Sequence, residues 1–161
     1  MEFGNLKGLS AQDIYGFAID FEQTGRELYD NIALIVKDPE IRELFKKLAD
    51  AEEEHRKKFV QRLSEIKGIL KYNSPDQNTQ EIFKFFRSNM FSKEILSEKL
   101  RHLKDIESIF EFAMGLELDN VLFYGEIKRI VRIDEHEFLD EIIDDERAHF
   151  IHILQMKRAK E

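Results

Sequence analysis

The chain carries the same helical phrase twice. "FAIDFEQTGRELYD" (17–30) is answered by "FAMGLELDNVLFYG" (112–125), so Phe17, Ala18, Glu22 and Tyr29 align with Phe112, Ala113, Glu117 and Tyr124 at an offset of 95. Further along each half, Glu52 and His55 are matched by Glu146 and His149 at an offset of 94. A chain that repeats itself in this way must build the same supersecondary unit twice and bury the same face in both copies. The hydrophobic period identifies that unit as a helical hairpin.

Four long stretches have helical period. The first runs from about Ser10 to Val36, with Ser10 as cap and Asp13 three residues on as an imperfect capping box. Its stripe is Ile14, Phe17, Ala18, Phe21, Gly25, Leu28, Tyr29, Ile32 and Ile35. The second starts at "DPE", where Asp38 suits the cap and Pro39 the first helical position, and Gly68 is a natural stop. The third spans about Asp105 to Val131 and the fourth about Asp134 to Arg158. Between the second and third lies a crossover, roughly Ile69 to Lys104. It holds a loop at "YNSPDQN" and short helices at "IFKFF" and "FSKEILSEKL", expected to lie across one end of the bundle. Only 7 Gly and 2 Pro interrupt the 161 residues, which suits long helices in one all-α domain over residues 1–161.

The polar residues on the inward stripe carry the chemistry. Glu52 and His55 stand where Leu48 and Phe59 set the apolar register, and Glu146 and His149 do the same between Ile142 and Ile153. Residues three apart on a helix differ by about 300° and rise ~4.5 Å, so Glu and His in E-x-x-H reach the same side. For Glu22 to face Glu52 and His55, the turn must fall near Lys37 or Asp38, where the capping residues put it independently. For Glu117, Glu146 and His149 it must fall near Arg132. Four carboxylates and two imidazoles then meet inside the bundle. Uncompensated, that costs several kcal/mol per ion; two divalent cations neutralise it. An oxygen-rich set with one imidazole per metal suits iron or manganese, with zinc an alternative and magnesium disfavoured by the histidines.

Composition narrows the remaining classes. A net charge of -8 argues against nucleic acid or an anionic membrane as a main partner. No apolar run approaches the ~18 residues of a membrane span. The start, "MEFGNLKGLSAQDIYGF", has no basic stretch followed by an apolar one, so a cytoplasmic protein is expected. There are no cysteines, which excludes disulfides, zinc-thiolate sites and iron–sulfur clusters. Outside the cluster, Glu53 and Glu54 read as solvated, His102 and His136 as surface residues, and His152 as a helix-face histidine. Tyr29 and Tyr124, seven residues after Glu22 and Glu117, are either core aromatics or hydroxyls that orient carboxylates or relay an electron. Asp145 is placed to hold a histidine across the bundle, His55 by preference; the matching position in the second helix is Ala51.

With "AEEEH" and "DERAH" set against Glu22 and Glu117, the chain resembles the ferritin-like di-iron carboxylate superfamily, and most of all its rubrerythrin branch. The resemblance covers the four long helices and implies a ferritin-like four-helix bundle of two hairpins joined by a long crossover. It implies that Glu22 and Glu117 are terminal or bridging ligands, that Glu52 and Glu146 bridge two irons, and that His55 and His149 each bind one. Rubrerythrins carry a further Glu three residues after the third-helix ligand; here that position is Asn120, which puts their redox-linked ligand swap in question. Bacterioferritins bind haem through a Met just after the second-helix Glu; here Glu53 stands there, so no haem is expected. Without a cysteine-ligated iron domain, electrons must come from an external donor such as a rubredoxin-like protein. A homodimer or higher homo-oligomer is implied by the resemblance alone. The expected activity is an oxidoreductase reaction with hydrogen peroxide or O2. Iron storage or handling, and a non-catalytic bundle stabilised by metal, are the alternatives. Nothing in the sequence marks the substrate pocket of an oxygenase.

Overall fold

The computed structural model describes residues 10–66, 75–90 and 93–161. Its helices are α1 (Ala11–Ile35), α2 (Pro39–Glu65), α3 (Gln77–Met90), α4 (Lys93–Arg101), α5 (Ile106–Ile130) and α6 (His136–Lys160), with no strand among the described residues. The four long helices are those that the period predicts.

Local chemistry sets their starts. The Ser10 hydroxyl accepts from the Asp13 N–H at 3.2 Å while Asp13 Oδ2 accepts from the Ser10 N–H at 2.7 Å, so the capping box is complete. Asp38 accepts from the N–H groups of Glu40 and Ile41, and Pro39 follows it where a missing N–H costs nothing. Asp105 and Ser108 form a second reciprocal box at α5. A 3-10 turn, Ile133–Glu135, delays α6 to His136. α2 ends at Glu65; Gly68, the expected stop, lies outside the described residues. Of "YNSPDQN", Gln77 and Asn78 already belong to α3, whose start is held by Asp76 accepting from the Thr79 N–H. Ile35, expected on the inward stripe, is 53% exposed because α1 ends there and the turning chain brings Val36 inward instead.

α1 and α2 form one hairpin, α5 and α6 the other. The hairpins pack with α1 antiparallel to α5, where Tyr29 meets Glu117 and Tyr124 meets Glu22. α2 is antiparallel to α6, with Glu40, His55 and Arg62 meeting Lys160, Glu146 and Glu135. The repeat in sequence is thus an approximate two-fold in space.

The crossover does not lie across an end. α2 finishes at the end of the bundle where α5 also finishes, so the connection must travel its full length. α3 and α4 do this along the α1–α5 face: Thr79 bonds Glu126, and Phe86 packs on Phe21 and Phe123 at 5.9 and 5.4 Å. The aromatic layer beneath is continuous. Phe21 stacks on Phe123 at 4.3 Å, and Phe59 stacks on Tyr124 at 5.3 Å. Each such ring buried stabilises by about 1.5–3 kcal/mol, and each pair adds about 0.5–1.5 kcal/mol. At the same end, Arg62 grips Glu135 with two bonds of 2.8 and 2.6 Å, and the Tyr15 hydroxyl donates to Glu135 at 2.7 Å. This buried clamp ties α1 and α2 to the start of α6. Among the described residues no helix is long and apolar enough to cross a membrane.

Candidate metal centre

Glu22, Glu52, Glu117 and Glu146 are fully buried, His55 is 2% exposed, and all are brought together between the hairpins. Two overlapping groups emerge. Glu22, Glu52, His55 and Glu146 offer ligand atoms within 4.8 Å of one another, and so do Glu52, Glu117, Glu146 and His149. Each group takes three residues from one hairpin and one from the other, and Glu52 and Glu146 belong to both.

The detailed geometry repeats across the two-fold. His55 Nδ1 lies 3.5 Å from Glu22 Oε2 and 3.2 Å from Glu146 Oε1. His149 Nδ1 lies 3.6 Å from Glu117 Oε2, 3.2 Å from Glu146 Oε2 and 4.0 Å from Glu52 Oε1. The two imidazoles stand 5.6 Å apart, centre to centre. Tyr29 donates its hydroxyl to Glu117 Oε1, and Tyr124 donates to Glu22 Oε1. Each tyrosine therefore orients the carboxylate of the opposite half, not the one seven residues before it. Asp145 sits 3.2 Å from His55 Nε2, as its position in the sequence suggested; it also lies 3.5 Å from Lys58 Nζ.

Unpaired polar atoms fill the centre. Glu22 Oε2, both oxygens of Glu52, Glu117 Oε2, Glu146 Oε1 and His55 Nδ1 are buried with no hydrogen-bond partner among the described residues. Each such atom costs about 1–3 kcal/mol, more when charged. These atoms are hard oxygens and imidazole nitrogen, converging on two points, which is the donor set of a divalent transition metal pair. The residues present fit such a group.

The electrostatics say the same. Burial, then the Glu146 charge, holds the Glu22 carboxyl well above its ordinary range. Burial and the charges of Glu146, Glu22 and Glu117 do so at Glu52, and a protonated Glu52 can share its hydrogen with Glu22. Glu117 is pushed up to about 8 by burial and Glu146. Glu146 alone is held low: burial would raise it, but the two histidines outweigh burial. Burial would likewise lower the histidines, yet the carboxylates raise His55 to about 9 and His149 to about 10. Without metal the cluster keeps protons in order to stay buried.

A rubrerythrin family model matches residues 13–150. The chain belongs to the rubrerythrin family. The crystal structure of a ferritin-like diiron-carboxylate protein from Thermotoga maritima has the same fold, with a TM-score of 0.63 and 23% identity over 95% of this chain and 97% of that one. Among curated proteins none matches.

Around this rubrerythrin-family centre, the remaining polar residues sort by position. Glu53 is not simply solvated: it is half-buried, gripped by Arg56 and bonded by Arg26, and these hold its carboxyl down at about 2. Glu54 and His102 are exposed, His136 is half-buried, and His152 is exposed on the outer side of α6. Asn120 is buried, and its Nδ2 has no partner among the described residues. Gly25 reads in sequence as a small core residue. Its contact with Glu52 is signalled there only by its spacing, three residues past Glu22 on the inward face.

Proposed function

We propose that the protein is a di-iron oxidoreductase that reduces hydrogen peroxide or O2, with Glu22, Glu52, His55, Glu117, Glu146 and His149 as the ligands of two irons. The single observation that carries this reading is the pair of overlapping four-residue groups sharing Glu52 and Glu146. Two irons held side by side by these residues would supply two electrons to a small oxidant within one site.

The chain's own side chains do the rest. Tyr124 and Tyr29 occupy Oε1 of Glu22 and Glu117, which leaves Oε2 of each turned to a histidine Nδ1. Asp145 accepts from His55 Nε2–H, which fixes the tautomer with a lone pair on Nδ1 facing the carboxylates. Phe21, Phe123 and Phe59 keep water from the flanks of the cluster and lower the local dielectric, so charges there act more strongly than in water. These 161 residues hold no cysteine and so no thiolate-ligated iron, and the electrons come from a donor outside them, such as a rubredoxin-like protein.

The test is metal content after purification without added metal, followed by stopped-flow absorbance of the iron(II) form mixed with peroxide or O2. About two irons per chain, lost in Glu52→Ala and Glu146→Ala, with oxidation faster by peroxide than by O2, is the expected result. Accumulation of many irons per chain with faster O2 turnover would replace this reading with iron storage. No bound metal, or metal that survives both substitutions, would overturn it.

A further inference from the structure

The outer face of α5 is apolar where the outer face of α1 is acidic. Gly115, Leu118, Leu122 and Gly125 answer, at the offset of 95, to Asp20, Gln23, Glu27 and Asp30. At about 100° per residue, these positions on α5 fall within about 40° of one line along the helix. Glu111 stands at one end of that line and Arg129 at the other. α6 flanks it on one side, where Lys128 bonds Asp140, and α3 on the other, where Thr79 bonds Glu126. Between these flanks Leu118 and Leu122 are left 54% and 45% exposed. Packing within the chain does not require the glycines, since a Cβ at 115 or 125 would meet nothing within 4 Å. Glycine there only weakens the helix relative to alanine.

The line matches itself when reversed. Positions 111 and 129, 115 and 125, and 118 and 122 are each centred on 120. Two copies of α5 set antiparallel about a two-fold at that height would pair Gly115 with Gly125, Leu118 with Leu122 and Glu111 with Arg129, each twice. An isologous contact needs this self-complementarity. Glu111 has Lys157 in its own chain, and Arg129 has Asp76 and Glu126, but both stay exposed and open to a further partner. The same arrangement of α1 would set Asp20 against Asp30, two like charges.

We propose that the outer face of α5 is the contact surface for a second copy of this chain, with the two α5 helices antiparallel, Leu118 against Leu122 at the centre and Glu111 against Arg129 at both ends. The leucines bury apolar area that the single chain leaves in water. The glycines beside them let the backbones come close enough for the leucines to seat between the helices. A different protein would have to bring both an apolar strip and charges at matching distances; a second copy already carries them. None of the six candidate ligands lies on this face, so the contact stands or falls apart from the metal reading.

Sedimentation equilibrium of the full chain in physiological salt tests this. The wild type should be a dimer, and Leu118→Lys a monomer with unchanged helical circular dichroism. Glu27→Lys, on the matching face of α1, should dimerise as the wild type does. Glu111→Arg and Arg129→Glu should each weaken the dimer about tenfold, because each sets like charges together twice. Mixing those two variants should restore wild-type affinity, since in the mixed pair each residue 111 meets an opposite charge at 129. This mixture carries the test even if Leu118→Lys loses helix. A monomeric wild type would overturn the proposal and leave the face to residues 1–9 of the same chain or to a different protein. A dimer that survives Leu118→Lys would overturn it by placing the contact elsewhere. A mixture no tighter than the single variants would overturn the antiparallel pairing.

Discussion

Replacing Glu52 by glutamine should stabilise the metal-free protein and weaken the loaded one. Burial, then the charges of Glu146, Glu22 and Glu117, hold this carboxyl well above its ordinary value of 4.5. As pH rises past that value, the unfolded chain therefore gives up this proton more readily than the folded one does. Both oxygens of Glu52 are also buried without a hydrogen-bond partner among the described residues, a penalty of about 1–3 kcal/mol for a polar group and more for a charged one. Glutamine has nearly the same shape and carries no charge to bury, so Glu52→Gln should gain about 1–3 kcal/mol, and Tm should rise by about 2–12 °C for a chain of this length. The sign follows from linkage. A folded-state pKa raised above the unfolded one costs nothing below about pH 4.5, where both states are protonated, and costs more as pH rises. The gain should vanish near pH 4 and grow as pH rises toward 8. With metal the order reverses: an amide is a poorer ligand and leaves the centre with excess positive charge, so the Tm increase produced by Mn(II) should shrink. Thermal denaturation followed by circular dichroism, in chelator and in Mn(II) from pH 4 to 8, measures all of this. A glutamine variant less stable than wild type in chelator at pH 7 would refute the reasoning that these carboxylates oppose folding until metal arrives.

The histidines give a second pH dependence. His55 and His149 are raised in the metal-free fold, so their contribution to its stability is full below pH 6.5 and is lost as pH climbs through about 9 to 10; metal must displace those protons, and Mn(II) affinity measured by titration should rise with pH across that window. Asp145→Ala should weaken metal binding by about tenfold, with the fold intact by circular dichroism; equal affinity would show that the His55–Asp145 contact does not orient the ring. Glu135→Ala strands the buried Tyr15 hydroxyl and releases the part-exposed Arg62, and should cost about 1–3 kcal/mol, seen as a lowered Tm in chelator, with the metal stoichiometry unchanged.

The helices and most of the centre were legible because their causes are local. Caps such as Ser10 with Asp13 and Asp38 with Pro39 act within one turn, and an inward Glu or His is visible as a break in an apolar stripe. The duplication of that break made it specific. What escaped depends on distant partners. Glu135 sits in the acidic run "RIDEHE" and looks exposed, yet residues 120 and 73 positions away, Tyr15 and Arg62, bury it. Glu53 could have been paired with Arg56 three residues on, but its further bond from Arg26 comes from the other helix of its hairpin. The path of the crossover could not be read from its own residues, because it is set by which ends of α2 and α5 lie together. The tyrosines fell between these cases: their inward face was plain, while the exchange of partners between halves required the two-fold arrangement.

The same arrangement makes the two ends of the bundle unequal without metal. Neither hairpin closes a four-residue group alone, so metal bound there would fasten one hairpin to the other, and without it buried carboxylates with unpaired oxygens face one another across the seam. At the end holding Tyr15, Phe59 and Glu135, a buried two-bond clamp and stacked rings still oppose that repulsion. At the other end the cross-hairpin ion pairs run from Lys160 to Asp38 and Glu40, near the surface, where screening leaves them weak. Opening in the metal-free protein should therefore start at that second end. Hydrogen exchange in chelator should speed up first at residues 32–45 and 150–158, ahead of 15–21 and 136–142, and Mn(II) should remove the difference. Equal acceleration at both ends would mean that the clamp holds nothing that the apolar core does not already hold.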